Sequence, residues 1–504
     1  MKHRVTMRFT TRQGNSYLYD DVTSMIFPWS GMLENILKLL ETTETAQLLA
    51  NIPEEYAAEE WIDKVHWVDY WKNNLGAFYR EEWKDSPLSY DNFEAELGAN
   101  LTNQLILSVT DDCNLRCKYC IYSDEYALTK NKTCNYMSTD TAQKAIDYFH
   151  KLIAPQLARN PRKKFGITFY GGEPLVNFTT VKYAVEYARE KLGDKVYFMM
   201  TSNGLLLTDE VVNYLKMHDV GLAISIDGPE QEHDRLRVTV GGGGSFARIK
   251  KNVDRIREKH PEYYRTRVNA VCVYDFLTDV EQTEQFFEDG ERDTTVPRAI
   301  FVNRVSDTNS CYYQKFSKED IQQYHDREKR LRDKYFSQKT CGCSSSSYLT
   351  SLIGSSALSI ITRRRALDGK PAYMPATGSC VPGQKLCVNS NGVIDICERV
   401  NGTNPIGDVH AGLHTDRVIQ MVSNFRENIA ASCDKCPGQK LCGLCFVNFE
   451  TEGAFRKQKE ICANHLNVMR NNLSLYTSIC EDKPDAEFIF SSDTIELDQP
   501  LTTF

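Results

Sequence analysis

The sequence lacks an apolar run of the roughly 18 residues that a membrane-spanning helix needs. Positive charge is not in excess, because 60 Lys and Arg face 68 Asp and Glu for a net charge of −8, which disfavours a mainly electrostatic nucleic-acid binder. The opening Met1-Lys2-His3-Arg4 leads into alternating polar residues and has no signal-peptide apolar region. These absences predict a soluble, cytoplasmic protein with neither nucleic-acid nor membrane partners.

Cysteine is absent before Cys113, although the chain of 504 residues has 17 cysteines. Three fall between Cys113 and Cys120, and eight fall between Cys380 and Cys462. An odd total in a long chain without an export signal disfavours a disulfide framework. The distribution therefore favours metal ligation in two separate regions.

Tryptophan is absent after Trp83, so residues 1–100 hold all five tryptophans. Residues 51–100 are also acidic, with 4 basic and 12 acidic side chains. Two β-like runs, 4–10 and 16–20, precede two helical patterns, the second of which has a stripe of tryptophans. Strands followed by helices predict a small winged-helix-like domain, whose tryptophan stripe is either core or, with a lower prior, a binding surface.

Apolar runs of strand length alternate with amphipathic helical segments between residues 105 and 305. This βα repeat predicts an α/β domain with a parallel sheet and outer helices, and six units suggest a partial (β/α)6 barrel. Active-site groups gather where such strands end. The predicted strands are 105–109, 165–170, 196–200, 220–226, 267–273 and 299–305.

The remaining chain divides into a helix, a Ser-rich stretch after Cys341 that is typical of a flexible linker, the second cysteine region and an acidic tail. The sequence therefore predicts five segments: an N-terminal domain, a barrel, a helix with linker, a cysteine-rich domain and a tail, at 1–100, 101–310, 311–379, 380–465 and 466–504.

The first cysteine motif is Cys113-x3-Cys117-x2-Cys120, directly after the first predicted strand. A loop there could place three thiolates on one face of an iron–sulfur cluster. Such clusters usually have four protein ligands, so three leave one iron open for a small-molecule chelate. The alternative is a structural zinc site, which normally requires four protein ligands.

This motif resembles that of the radical S-adenosylmethionine (SAM) superfamily, and the resemblance covers the six-unit region. It implies that the open iron binds the amino and carboxylate groups of SAM. An external donor of the flavodoxin or ferredoxin type would reduce the cluster. Cleavage of SAM would then give a 5′-deoxyadenosyl radical that abstracts a hydrogen atom from the substrate.

Other loops match the same family residue by residue. Gly171-Gly172-Glu173 resembles its GGEP motif, in which glycines permit close backbone approach and the carboxylate accepts from the methionyl ammonium. The alternative for the polar groups at strand ends is a turn or helix cap. By the resemblance, the residues near adenine, the SAM carboxylate and ribose are Tyr119, Ser202, Asn203, Ser225 and Asp227.

The second cysteine region has eight cysteines, enough for two closed clusters. It resembles the SPASM auxiliary-cluster extension, which would bring the total to three 4Fe-4S clusters. Two residues separate Cys442 from Cys445 where the family usually has three. This departure puts Cys445 in doubt as a ligand, and without it one cluster would have an iron that no cysteine binds. The alternative to iron–sulfur clusters in this region is a zinc ribbon. The implied sets are Cys380, Cys387, Cys397 and Cys445, and Cys433, Cys436, Cys442 and Cys462.

Together these parts resemble maturases of ribosomally made peptides, of the thioether-forming type, whose N-terminal domain binds the leader of a precursor peptide by strand addition. One alternative is a maturase of a folded protein, as in formylglycine formation in sulfatases. Glu398, beside Cys397, stands where that subfamily has a carboxylate base, so it is a candidate general base. Another is a non-catalytic, metal-containing peptide-binding protein.

Overall fold

The chain forms two compact units, each assembled from separate stretches of sequence. The structure, a computed structural model, describes residues 2–81, 93–126, 132–307, 310–355, 382–399, 405–444, 448–451 and 454–484. The first unit contains the described residues within 1–88 and 423–490, and the second those within 89–355 and 380–422. The five segments proposed from the sequence have other boundaries and stay predictions.

The N-terminal part of the first unit has a three-stranded antiparallel sheet in the order β2-β3-β4. Both predicted strands and both helical patterns are present. The predicted strand at 16–20 is the central one, because an unpredicted strand pairs with its other side. The elements are β1 Lys2–Arg4, β2 Thr6–Thr10, β3 Ser16–Asp20, β4 Met25–Pro28, α1 Gly31–Leu39, α2 Thr45–Ala50, α3 Ala58–Leu75 and β5 Tyr79–Glu81, with β1 paired to β5.

The tryptophan stripe of α3 packs into the core of this part. Trp61 is fully buried and its indole N–H donates to the Leu48 carbonyl at 2.9 Å. The rings of Trp67 and Trp71 pack on Phe27 of β4 with centroids 5.3 and 4.8 Å away. The core interpretation of the stripe is confirmed, whereas the winged-helix comparison stays a prediction.

The second unit is built on six parallel strands that lie side by side in sequence order. All six match predicted runs to within two residues. Three of them, β6, β7 and β9, are almost entirely buried, as expected for strands covered on both faces, whereas β11 at the end of the row is mostly half-buried or exposed. The strands are β6 Gln104–Ser108, β7 Phe165–Tyr170, β8 Val196–Ser202, β9 Val220–Ser225, β10 Val268–Tyr274 and β11 Ala299–Arg304.

Amphipathic helices connect the strands, and several begin at side-chain caps. The Ser138 hydroxyl accepts from Thr141 N at 3.0 Å at the start of α5, and Thr208 caps α7 in the same way. The helices are α4 Phe93–Glu96, α5 Thr139–Arg159, α6 Phe178–Leu192, α7 Asp209–Met217, α8 Glu230–Leu236, α9 Phe246–Lys259, α10 Pro261–Arg267, α11 Val280–Arg292, α12 Lys318–Cys341 and α13 Ser347–Leu349.

The two ends of the parallel sheet are completed differently. At the β6 end, β12 Lys385–Val388 adds a further parallel strand, followed by the antiparallel β13 Val393–Asp395, β14 Gly407–Asp408 and β15 Gly412–Leu413. At the β11 end, the amides of Ala299 and Val302 donate to the hydroxyls of Ser347 and Ser351 at 2.6 and 3.0 Å.

The linker prediction is therefore wrong for the described part of the Ser-rich stretch. The Ser346 hydroxyl donates to the buried carboxylate of Glu284 at 3.0 Å, and Ser347 N donates to Glu291 at 3.0 Å. The serines whose composition suggested a loop instead accept hydrogen bonds from backbone amides of the edge strand β11. Just before them, Cys341 and Cys343 form a disulfide.

The C-terminal elements are α14 Thr415–Asn428, β16 Glu450–Thr451, β17 Ala454–Phe455 and α15 Lys459–Asp482. Helix α15 binds the outer edge of β2: Ser474 Oγ donates to the Thr10 carbonyl at 2.7 Å, and Arg12 N donates to Ser478 Oγ at 2.9 Å. Residues 466–482, assigned from the sequence to the tail, continue this helix. Among the described helices, none combines the length and apolarity needed to cross a membrane.

Candidate functional site

The loops after β6 and β7 are fastened to each other through their backbones. Gly172 N donates to the Thr110 carbonyl at 2.7 Å, and Glu173 N donates to the Asp112 carbonyl at 2.9 Å. A Cβ atom on Gly172 would lie 2.0 Å from the Asp112 carbonyl oxygen, and Gly171 has φ +131°. Only glycine fits this approach, so the two motifs recognised in the sequence form one structural site.

The three cysteines of the first motif lie on this loop as a group of half-buried residues. Burial raises the pKa of Cys113 and raises that of Cys117 to about 12, and the neighbouring thiols contribute to both shifts. The amide of Asn203 reaches Cys113 Sγ at 3.8 Å. Metal binding would deprotonate such thiols, so the group can serve as a thiolate donor set.

Glu173 is the buried acceptor of the site. Its carboxylate accepts from Leu175 N at 3.1 Å, Ser202 Oγ at 2.9 Å and Asn203 N at 2.7 Å. Burial raises the pKa of Glu173 to about 7. A carboxylate has about four acceptor positions, so one remains, and an ammonium group there would favour the ionised form. Three thiols and this acceptor fit an iron–sulfur cluster with SAM.

Asp227, beyond the end of β9, organises the opposite side of the site. It accepts from Tyr119 OH at 2.8 Å and Arg237 Nε at 2.7 Å on Oδ2, and from Val273 N at 2.9 Å on Oδ1. The Asp227 carboxylate therefore accepts three hydrogen bonds from other residues of the chain. Ser225, two residues earlier, is the buried last residue of β9.

Arg237 is a site residue that the sequence reasoning missed. Besides its bond to Asp227, it reaches Cys117 Sγ at 3.9 Å and lies over the Tyr119 ring at 5.3 Å. It is buried and places a permanent positive charge beside a thiol. A basic residue soon after the Asp227-Gly228-Pro229 loop was the only sequence signal.

Part of the first auxiliary set adjoins the same sheet. Cys387 lies on β12, its Sγ 3.7 Å from the Ser108 hydroxyl at the end of β6. Cys397 and Glu398 follow β13, and their charges help burial to raise the pKa of Cys387. Within the described residues Glu398 Oε2 is a buried atom without a hydrogen-bond partner. Cys380 and Cys445 lie outside the described residues.

Two half-buried tyrosines lie near these groups, and the sequence reasoning did not single them out. Tyr170 ends β7, and the charge of Glu398 helps burial to raise its pKa. The pKa of Tyr122 is raised by burial, with contributions from Cys387, Tyr170 and Cys120. Cys120, Tyr122, Cys387, Tyr170 and Glu398 are therefore electrostatic neighbours.

The second auxiliary set forms a separate centre in the first unit. All of its members line one cavity of about 250 Å³, hereafter the four-cysteine cavity, whose other lining side chains are apolar and polar in equal number. The cysteines influence one another's pKa values, and burial raises that of Cys433 to about 11. Within the described ranges, no three His, Cys, Asp or Glu side chains converge as a single metal ion would require. The cavity is lined by Cys433, Cys436, Cys442 and Cys462.

Comparison with known proteins places a radical SAM domain in this chain. The Radical SAM superfamily profile matches residues 107–287. The chain is 26% identical over 221 residues to the radical SAM cyclopropyl synthase TigE of Paramaledivibacter caminithermalis, covering 43% of each protein. It is 31% identical over 167 residues to a serine-type anaerobic sulfatase-maturating enzyme of Bacteroides thetaiotaomicron, covering 32% of this chain and 36% of that enzyme. The chain thus spans less than half the length of these relatives.

A solved structure supports the fold over a longer stretch. Native anSMEcpe with bound AdoMet and Kp18Cys peptide superposes with a TM-score of 0.54 at 17% identity, covering 77% of this chain and 99% of that one. The α/β fold with a mostly parallel central sheet is therefore confirmed.

Proposed function

We propose, starting from the radical SAM domain at residues 107–287, that the protein is a maturase that installs a thioether or another crosslink in a ribosomally made precursor peptide. The observation that supports this proposal is that the cysteine loop follows β6, the buried Glu173 follows the neighbouring β7, and the carboxylate of Glu398 lies close enough to Tyr170, the last residue of β7, to affect its pKa. The four-cysteine cavity and the partly described first auxiliary set supply donors for further clusters.

The residues of the second unit bind and orient the reactants. Cys113, Cys117 and Cys120 would hold the cluster, and Glu173 would accept from the methionyl ammonium of SAM. Ser202 and Asn203 keep Glu173 in place, while Asp227 fixes Tyr119 and Arg237. When bound, SAM and the clusters would supply hydrogen abstraction by a 5′-deoxyadenosyl radical and an acceptor for one electron.

Glu398 is the proposed general base. Joining a thiol to a C–H carbon removes one hydrogen atom, one proton and one electron. Glu398 has an unbonded, buried oxygen within the described residues and lies near Tyr170 and Cys387. A substrate thiol placed there would give its proton to this carboxylate.

The N-terminal sheet offers an edge for the leader of the precursor. Of its outer strands, β2 is covered by α15, whereas β4 has no further partner among the described strands. Trp29 N donates to the Ser16 carbonyl at 2.9 Å. Because successive residues of an antiparallel strand direct their backbone N–H and C=O groups to alternate sides, the amide of Phe27 faces β3 and the amide of Ile26 faces away from it. Leader recognition by strand addition is therefore proposed at β4.

An aromatic surface continues from this edge. Phe27 contacts Trp71, which contacts Tyr70, a side chain that is 60% exposed. The exposed ring of Tyr70 would offer an apolar contact to a bound leader. The acidic character of residues 51–100 would disfavour a strongly acidic leader.

Mass spectrometry of a short peptide encoded beside this gene, co-expressed with the protein, tests the reaction. A crosslink removes two hydrogen atoms and joins two residues in the fragmentation spectrum. A peptide that stays unmodified, although the reconstituted protein cleaves SAM, would contradict the proposal. Colourless protein with stoichiometric zinc would instead support the non-catalytic peptide-binding alternative.

Leader binding is tested separately with Ile26→Pro. This change removes an outward amide while leaving the bonds to β3, and proline is tolerated at such edge positions. Loss of one or two main-chain hydrogen bonds should weaken leader affinity about tenfold. Ile26→Val, which keeps the amide, is the control, and equal affinities for the two variants would exclude the β4 edge.

Formylglycine formation in a folded protein is the second candidate. It is favoured by the 31% identity to a sulfatase-maturating enzyme and by Glu398 beside Cys397. Incubation with a sulfatase-derived peptide distinguishes the reactions, because formylglycine forms at one residue without a crosslink.

A further inference from the structure

A buried ion pair from the N-terminal segment reaches the backbone of the four-cysteine cavity. Arg80 Nη1 donates to the carbonyl of Asp434 at 3.1 Å and to those of Cys433 and Cys436 at 3.4 Å each. Its Nη2 pairs with the carboxylate of Asp21. The side chains of Arg80 and Asp21 are 4% and 0% exposed.

Asp21 extends this contact to the next turn of the cysteine region. Its Oδ1 and Oδ2 accept from Lys440 N at 3.0 and 3.2 Å. In return, Lys440 Nζ donates to the Val22 carbonyl. Lys440 lies two residues before Cys442, so one ion pair holds both cysteine-bearing turns.

The chemistry of this pair shows why it is placed here. Burying two charges carries a large desolvation penalty unless other groups satisfy their remaining hydrogen bonds. The planar guanidinium can reach several carbonyls at once, which a lysine ammonium on a flexible stem does less well. Burial raises the pKa of Asp21 to about 6, against the lowering effect of the Arg80 charge. The hydrogen bonds that satisfy this pair therefore come from the backbone of the two cysteine-bearing turns.

We propose that Arg80 and Asp21 are positioning residues for a cluster held by Cys433, Cys436, Cys442 and Cys462. The inference rests on the proposed auxiliary cluster and adds that the N-terminal segment is a structural part of that centre. Outer groups that orient metal ligands commonly change metal affinity 10- to 100-fold when they are replaced. Nearby charge and hydrogen bonding also set the potential of an iron–sulfur cluster.

Anaerobically reconstituted full-length variants test this assignment. Arg80→Ala and Asp21→Asn should lose the iron of one cluster to a chelator about 10- to 100-fold faster than wild type, or shift the midpoint potential of the auxiliary signal. Arg80→Lys should restore retention only in part. The cluster of the Cys113 loop should keep its iron and its SAM-dependent spectroscopic change.

The matched control is Arg4→Ala, which breaks a bidentate pair with Glu34 in the same unit at 2.8 and 2.7 Å. It should leave auxiliary iron retention and potential unchanged. If Arg80→Ala does not fold, Asp21→Asn and Arg80→Lys, which preserve side-chain size, carry the test. Wild-type retention and potential in both folded variants would overturn the inference. Wild-type protein with only the iron of the Cys113 loop would instead refute the auxiliary cluster itself.

Discussion

The Cys113 loop and the four-cysteine cavity are built in opposite ways. The loop is held by neighbouring strand ends, because Gly172 and Glu173 after β7 donate to the carbonyls of Thr110 and Asp112 after β6. The cavity lies between turns that are held by Arg80 and Asp21, far away in the sequence. The Cys113 loop therefore depends on close packing between adjacent strand ends. The four-cysteine cavity depends on a segment distant in sequence, which the spacing of the cysteines does not predict.

The largest expected effect separates the two centres. Replacing Cys113, Cys117 and Cys120 together with Ala should abolish production of 5′-deoxyadenosine, because no thiolate set remains for the SAM-binding cluster. Iron in the four-cysteine cavity should persist. The control is Ala in place of Cys134, an exposed cysteine. Continued SAM cleavage by the triple variant would show that the radical site lies elsewhere.

Gly172→Ala should weaken SAM binding roughly a hundredfold or more, the scale of loss when a site is displaced by about an ångström. The new Cβ would meet the Asp112 carbonyl oxygen at 2.0 Å and push the two loops apart. Gly241→Ala is the control, because a Cβ there meets no atom within 4 Å. Calorimetry with SAM measures both, and equal affinities would refute the tight approach.

Cys436→Ala should lower crosslinked product by about 10- to 100-fold while SAM cleavage without product formation falls much less. The reason is that Cys436 belongs to a different unit from the radical-generating loop. Quantifying product peptide and 5′-deoxyadenosine in the same reaction gives the comparison, with Cys480→Ala as the control. An equal fall in both products, in a folded variant, would argue against separate roles.

The smallest effect concerns the protonation of Glu173. The folded protein holds this proton to about pH 7, whereas the unfolded chain releases it near 4.5. The proton-linked stability is therefore fully present below pH 4.5 and is lost as the pH rises through 7. Between pH 6 and pH 8, wild type should lose about 1 kcal/mol of unfolding free energy relative to Glu173→Gln. A constant difference in denaturant titrations would contradict the raised pKa.

The sequence predicted what periodicity and adjacency control. The six strands and the loops after them follow from alternating patterns, because parallel strand ends meet at one sheet edge. Strand β4 was not predicted because Met25–Pro28 is short and ends in proline. The ordered part of the Ser-rich stretch was not predicted because its hydroxyls accept hydrogen bonds from a strand that is distant in sequence. The contact between Arg80 and Asp21 was not predicted because the partners of an ion pair follow no regular spacing in the sequence.

The interrupted first unit has a consequence for biosynthesis. Residues 1–81 leave the ribosome long before Cys433, and the whole radical SAM domain is translated between them. At 5–20 residues per second, the interval is roughly 20 to 70 seconds. During it, β2 lacks the helix that covers its edge and Arg80 lacks the carbonyls it binds. The four-cysteine centre would therefore be completed late, and a chaperone or an early-bound leader would find the N-terminal strands open in the nascent chain.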